Sequence, residues 1–351
     1  MASAPTRDQL IGSQLNPERL GAWMDETGLP GRGSPLAIDV ISGGNQNIVA
    51  RVGREGFDAV LRRPPRVVPP GREAAMSREF RMLTALEGTE VPHAHPIAMC
   101  TDSTVLGSHF YLMEWVDGWS PAASYQWPGL FATDQVARRG LARELIRGLA
   151  LLARVDWRAR GLHDFGKPDG FHDRQVDRWL AHWDQFRFRD IPGLEEAAAW
   201  LRAHRPTEWT PGIMHGDYAF LNVMFAHGSE PRLAAIVDWE MSTVGDPLLD
   251  VAWLLNHWPA SATEDMHTEY VDYTEMPLQD EMLAMYEQES GQPINNFAYY
   301  LILARFKSSI VLEGGYARFL QGETDNPKLE KYNESILRSA ADAAELASNT
   351  P

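Results

Sequence analysis

The chain has 351 residues, 44% apolar and 23% charged, which is long enough for more than one folded body, since single cores seldom grow beyond about 250 to 300 residues. Its 32 basic and 48 acidic residues give a formal charge of −16 and argue against general affinity for nucleic acid or anionic membrane. One cysteine, Cys100, excludes an internal disulfide framework, and neither a signal-like apolar stretch nor an apolar run of about 18 residues is present, so the composition predicts a cytoplasmic protein.

In chain order, Asn16 and Pro17 form an N-cap and first-turn pair for a helix reaching Thr27, with Gly28 as its stop. Residues 36–42, 47–52 and 58–63 read as short strands of a β-meander, joined by Gly43-Gly44 and by Gly53 to Gly56. Residues 73–87 carry Met76, Phe80, Leu83 and Leu86 at helical spacing. Strands at 97–101 and 109–115 complete a mostly antiparallel sheet with one helix. From Ser120 onward the pattern is helical, over 134–155, 173–188, 194–203, 246–257, 296–319 and 327–347. The expected plan is α+β: an N-terminal helical segment (1–35), a small β-rich lobe (36–113), a connector (114–118) and a larger helical lobe (119–351).

The chemistry concentrates between Ile213 and Glu240. His215-Gly216-Asp217 is followed five residues after the aspartate by Asn222, then by an apolar run, 234–237, closing on Asp238-Trp239-Glu240. A carboxylate that receives a hydroxyl proton, an amide and a second carboxylate at a strand end are the parts of an ATP-dependent phosphoryl-transfer site holding Mg²⁺. The competing reading, a polar loop that caps a strand, accounts for each part singly but not for their order and spacing.

Other clusters carry less. His93 and His95 lie in a proline-flanked loop with no acid or cysteine adjacent in sequence, which disfavours a metal site there. Cys100 reads as a small buried apolar residue. The stretch 264–289 holds nine carboxylates and no Lys or Arg; it reads first as a solvated acidic loop and helix face, with attraction of a cationic ligand as the alternative.

Further motifs are Ser42-Gly43-Gly44-Asn45, Val60-Leu61-Arg62-Arg63-Pro64-Pro65, Arg78-Glu79-Phe80, Phe110-Tyr111-Leu112-Met113-Glu114 and Gly245-Asp246-Pro247 with Asp250. With the two described above, they resemble the aminoglycoside phosphotransferase family of small-molecule kinases, in the branch related to kinase domains fused to acyl-CoA dehydrogenases. The resemblance implies a protein-kinase-like two-lobed fold, ATP and Mg²⁺ as cofactors and a small-molecule hydroxyl acceptor. It implies Asp217 as the catalytic carboxylate, Asn222 and Asp238 as metal ligands, and Gly43, Gly44 and Asn45 as a lid over the phosphates. Glu114 and Val116 would meet the adenine edge through their backbone. Asp250 would hydrogen-bond the catalytic-loop backbone, and His215 would buttress that loop. Arg62 stands where such kinases place a lysine, with Glu79 as its partner; strand alternation lets only one of Arg62 and Arg63 enter the site, and Arg63 is expected to be solvated.

Two functional classes stay open: a small-molecule kinase, supported by Asp217, Asn222 and Asp238, and a nucleotide-binding pseudoenzyme, suggested by Arg62. Protein kinase activity fits less well, because the segment after Asp238 leaves little platform for a peptide. Together with the resemblance to the acyl-CoA-dehydrogenase-linked branch, the aromatic residues between 119 and 188, among them Trp127, Trp157, Trp179 and Trp183, favour an apolar hydroxylated acceptor, such as a hydroxyacyl or macrolide-like molecule, over a polycationic aminoglycoside.

Overall fold

Branched apolar residues alternating with polar ones over 37–63 build the first three strands, β1 (Ala37–Ser42), β2 (Ile48–Arg54) and β3 (Phe57–Arg63). The structure, a computed structural model, describes residues 12–42, 47–65, 71–121, 127–261, 271, 273–324 and 326–351. Two compact units emerge. The first takes the described residues up to Trp119 with Met224–His227 and Ala234–Ser242; the second takes Ser120–Val223, Gly228–Leu233 and Thr243–Pro351.

In the first unit, α1 (Pro17–Glu26) starts where the Asn16 side chain accepts from the Arg19 amide at 3.0 Å. The three strands join β4 (Pro96–Cys100) and β5 (Phe110–Glu114) in one antiparallel sheet, order β1-β2-β3-β5-β4. The helix α2 (Arg72–Leu86) and the short α3 (Ser103–Leu106) lie between strands in sequence. Leu15, Leu20 and Met24 share one core with Ile48, Ala50, Val52, Ala59 and Leu61. Arg54 fastens α1 to the sheet, donating to Asp25 at 2.5 Å and to the carbonyls of Pro30 and Leu29.

This packing corrects the expectation for Arg63. In the β2–β3 register Arg63 opposes Ile48 and Leu61 opposes Ala50, so Arg63 shares the face covered by α1 and the residues before it. Far from being solvated, it is 3% exposed; its guanidinium donates to the Gln14 and Pro64 carbonyls, and burial pulls its pKa down to about 10. Arg62 points to the opposite face.

The second unit is built from α4 (Gln135–Ala153), α5 (Phe171–Trp183), α6 (Leu194–Ala203), α7 (Leu248–Leu255), α8 (Gln279–Ser290), α9 (Phe297–Leu320) and α10 (Tyr332–Asn349). Its strands β6 (Gly212–Met214) and β9 (Thr243–Gly245) pair antiparallel. The strands β7 (Val223–Phe225) and β8 (Leu233–Ile236), most of whose residues belong to the first unit, pair with each other. Most aromatics singled out in the sequence belong to the interior: Phe131, Phe165 and Trp183 are fully buried, and Trp127, Trp157 and Phe171 nearly so. The helix α8 forms the helical part of the acidic stretch, without bounds given in the sequence reading; its first turn is capped by Glu281, whose carboxylate accepts from the Leu278 amide at 3.0 Å. None of the described helices is long and apolar enough to cross a membrane.

A buried ion pair ties α9 and α10 to the segment after α5. Arg189 grips Glu313 with two nitrogens, at 2.8 and 2.6 Å, and Asn333 with a third at 2.6 Å, while Glu313 is 0% exposed. Arg189→Met strands a buried carboxylate, so urea denaturation should show a loss of about 3 to 5 kcal/mol. A loss below about 1 kcal/mol would put this pair in the class of exposed ion pairs and contradict the assignment.

Candidate active site

In the first unit the site is assembled by the pleat of β3. Arg62 and Tyr111, opposite each other in the β3–β5 register, face α2. Arg62 Nε lies 2.9 Å from Glu79 Oε2, and Glu79, 1% exposed, also accepts from the Tyr111 hydroxyl at 2.8 Å. The other end of the same guanidinium donates to Asp238 Oδ1 at 2.5 Å and approaches Glu240 Oε2 at 3.9 Å. Asn47 donates to Glu240 at 3.3 Å. Burial alone would weaken the Arg62 charge, but Glu79, Tyr111, Asp238 and Glu240 hold its pKa above the ordinary value. Burial pushes Glu79 upward, and Arg62 opposes that shift.

Asp238 follows β8 in an unusual backbone conformation. Its φ of 65° lies in the left-handed region that side chains with a Cβ seldom enter. This aims the carboxylate out of the strand and toward Arg62. Such conformations cost of order 1 to 3 kcal/mol and persist where surrounding structure fixes them. Oxygens of Glu79, Asp238 and Glu240 all lie within 4.8 Å of one another, a hard-donor set suited to Mg²⁺ more than to softer cations. Glu114 ends β5, its amide donating to the His95 carbonyl at 2.8 Å, and Val116 follows half-buried outside any regular element. Gly43, Gly44 and Asn45 lie outside the described residues.

In the second unit the loop after β6 is held from below. Asp250, buried on α7, accepts from the amides of His215 at 2.5 Å and Gly216 at 2.9 Å. Gly216 turns with a φ of 87°, a conformation that glycine adopts without steric cost. His215 is fully buried, and its Nδ1 accepts from the Asp217 amide at 3.3 Å. The Asp217 carboxylate is oriented from two sides: Trp253 Nε1 donates to Oδ1 at 2.9 Å and Asn222 Nδ2 to Oδ2 at 3.0 Å. Asn222 also donates to the Asp217 carbonyl at 2.7 Å, which leaves its amide oxygen as the atom able to meet a cation. Asn222 and Asp238, the two expected metal ligands, belong to different units.

Sequence reasoning did not single out Trp253 or Lys307. Lys307 donates to the Gly216 carbonyl at 2.9 Å, with its ammonium 3.9 Å from the Trp253 ring centre and 5.5 Å from that of Trp179. Burial pushes its pKa down to about 8, against the upward pull of Asp217 and Asp250. The signal was available: a lysine in the apolar run of α9 needs a partner.

A model of the phosphotransferase enzyme family matches residues 37–286. The chain belongs to that family. Mouse acyl-CoA dehydrogenase family member 10 is 31% identical over 293 residues, 81% of this chain; the chain spans 27% of that relative's length. A Ralstonia eutropha structure, provisionally described as an aminoglycoside phosphotransferase, superposes with a TM-score of 0.80 at 30% identity, covering 95% of this chain and 98% of that one. Choline kinase from Cryptosporidium parvum shares the fold alone, at a TM-score of 0.63 and 11% identity over 95% of this chain and 96% of its own. The family's small-molecule kinases and this chain thus share a protein-kinase-like α+β fold.

Lys307 gives the site a pH signature. Its folded pKa of about 8 lies below the unfolded value of roughly 10.4, so between those values the unfolded chain binds the additional proton and this residue makes stability rise with pH. Unfolding curves of the native protein and Lys307→Met, taken from neutral to alkaline pH, should diverge in slope above about pH 8. Parallel curves would show that Lys307 titrates as an ordinary exposed lysine.

Proposed function

We propose that this chain is a Mg·ATP-dependent phosphotransferase that moves the γ-phosphoryl group to a hydroxyl of a small molecule. The observation that carries the reading is the Asp217 carboxylate, fixed by the Trp253 indole and the Asn222 amide on a loop whose backbone Asp250 holds. Phosphoryl transfer needs positioning and charge compensation more than covalent chemistry from the protein. Asp217 orients the acceptor hydroxyl and takes up its proton. Arg62, anchored by Glu79, binds the nucleotide phosphates, and the backbone at Glu114 and Val116 meets the adenine edge. The oxygens of Asn222 and Asp238 are the donors for Mg²⁺. Held there, a divalent cation would supply charge compensation for the phosphate oxygens. In this reading residues 36–113 serve the nucleotide, 114–118 form the hinge and 119–351 carry the catalytic loop and acceptor site.

The acceptor is read as hydroxylated and largely apolar. Trp253 and Trp179 flank Lys307 beside the Asp217 loop, and a lysine there opposes a polycationic acceptor. Carboxylates of the acidic stretch that could attract such a molecule have structural partners: Glu281 takes Arg139 and the Leu278 amide, and Glu287 the Ile294 amide. A hydroxyacyl or macrolide-like compound fits this setting better. A second reading, nucleotide binding without transfer, draws on the contact of Arg62 with Asp238, which engages a carboxylate assigned to Mg²⁺.

The test is ADP release against hydroxyacyl, macrolide and aminoglycoside compounds, with and without Mg²⁺. Turnover should require Mg²⁺, and Asp217→Asn should lower it by on the order of 10² to 10⁴ while leaving thermal stability intact. Full activity of that variant would remove Asp217 from the chemistry. Nucleotide binding with no turnover on any acceptor would favour the second reading, and efficient phosphorylation of kanamycin-like compounds would reverse the acceptor assignment.

A further inference from the structure

His93 and His95 lie on the segment joining α2 to β4, and Glu87, the residue closing α2, folds back onto both. Glu87 Oε1 is 3.1 Å from His93 Nε2 and 2.7 Å from His95 Nδ1, with the three ligand atoms within 4.8 Å of one another. The sequence reading disfavoured a metal here because no acid adjoins the histidines; the turn after α2 brings in Glu87 from six residues upstream.

The hydrogen positions are constrained by the partners. His93 Nδ1 lies 2.7 Å from the Val91 carbonyl, which can only accept, so Nδ1 carries the hydrogen. In neutral imidazole Nε2 then presents a lone pair, and it faces a carboxylate oxygen that is also an acceptor. Two acceptors at 3.1 Å need a positive centre: a second proton on the ring or a cation bound to both. His93 is buried, and a metal there satisfies nitrogen and oxygen together. The His93 ring also has a partner behind its far nitrogen, Val91 O, while Glu114 Oε2 stands 3.8 Å from that of His95. Such outer partners set the ring orientation of metal-binding histidines.

We propose that Glu87, His93 and His95 form a binding site for a divalent transition metal of the zinc class. Two imidazole nitrogens and one carboxylate suit Zn²⁺, Co²⁺ or Ni²⁺ and not Mg²⁺, and three protein ligands leave a position for water. The site lies where several elements of the first unit meet. The Pro92 carbonyl accepts from Ile236 at 2.8 Å and His93 bridges Ile236, two residues before Asp238. The His95 carbonyl accepts from Glu114, and Glu87 closes the helix that carries Glu79. A metal here ties together the backbone segments that present the nucleotide-site residues.

The test uses the full chain stripped of metal with chelator, titrated with Zn²⁺ by calorimetry and with Co²⁺ by visible absorption. Binding of about one equivalent is expected, unaffected by Mg²⁺ in excess, and weakened at least about tenfold in both His95→Ala and Glu87→Gln. Both replaced side chains are substantially exposed, at 59% and 44%, so the fold tolerates their loss. Asp238→Asn should bind the metal as the native chain does, which separates this site from the Asp238 carboxylate cluster. Absence of stoichiometric binding, equal binding in all variants, or displacement by Mg²⁺ would each overturn the proposal.

Discussion

The buried guanidinium of Arg62 is the constraint on which the first unit's site depends. An arginine on the inner face of a sheet is tolerable only with carboxylates around it, and the chain supplies Glu79 from α2, Asp238 from the end of β8 and Glu240 just beyond. Two separate stretches of sequence are thereby fixed against one charge. The left-handed turn at Asp238 is part of the same arrangement, since the carboxylate reaches the guanidinium from that backbone conformation. Arginine also differs from lysine in offering several donors in a fixed plane, so it holds Glu79 at one end and Asp238 at the other.

The second unit solves a different problem, the orientation of one partly exposed carboxylate. Asp250 fixes the backbone on one side of the loop, Lys307 takes the Gly216 carbonyl, and Trp253 and Asn222 set the plane of the Asp217 side chain. Asp250 and Trp253 come from one helix turn of α7, so the same short element supplies both backbone support and side-chain aim. The neighbouring Asp246 is structural: it accepts from the Tyr300 hydroxyl at 2.8 Å, contacts His172 at 2.9 Å and caps α7 through the Leu248 amide.

Strong periodicity made the sheet, α2, α4 and α9 legible in the sequence, and the order and spacing of polar residues marked the loop at 215–222. The misreadings have physical causes. Arg63 looked solvated because strand alternation gives two faces but does not say that α1 covers the second. The start of α8 was hidden because Leu278 stands at its N-cap, where Ser, Thr, Asp or Asn would have signalled it, and the capping comes instead from Glu281. Lys307 and Trp253 reach the Asp217 loop through tertiary packing of α9 and α7, which local pattern does not encode. The contact of Glu87 with two histidines likewise arises from a turn that folds a helix end back on the following loop.

The central claim is that the Arg62–Glu79 pair serves the nucleotide phosphates and not the fold alone. Replacing both partners, Arg62→Met with Glu79→Gln, removes the charge without stranding a buried ion. Calorimetric affinities for ATP and for adenosine, each with Mg²⁺ present, then separate phosphate contacts from base contacts. The account predicts unchanged adenosine affinity and an ATP affinity lowered roughly 10- to 100-fold, the worth of one charge-assisted hydrogen bond. Native affinity for both ligands in the folded double variant would contradict it.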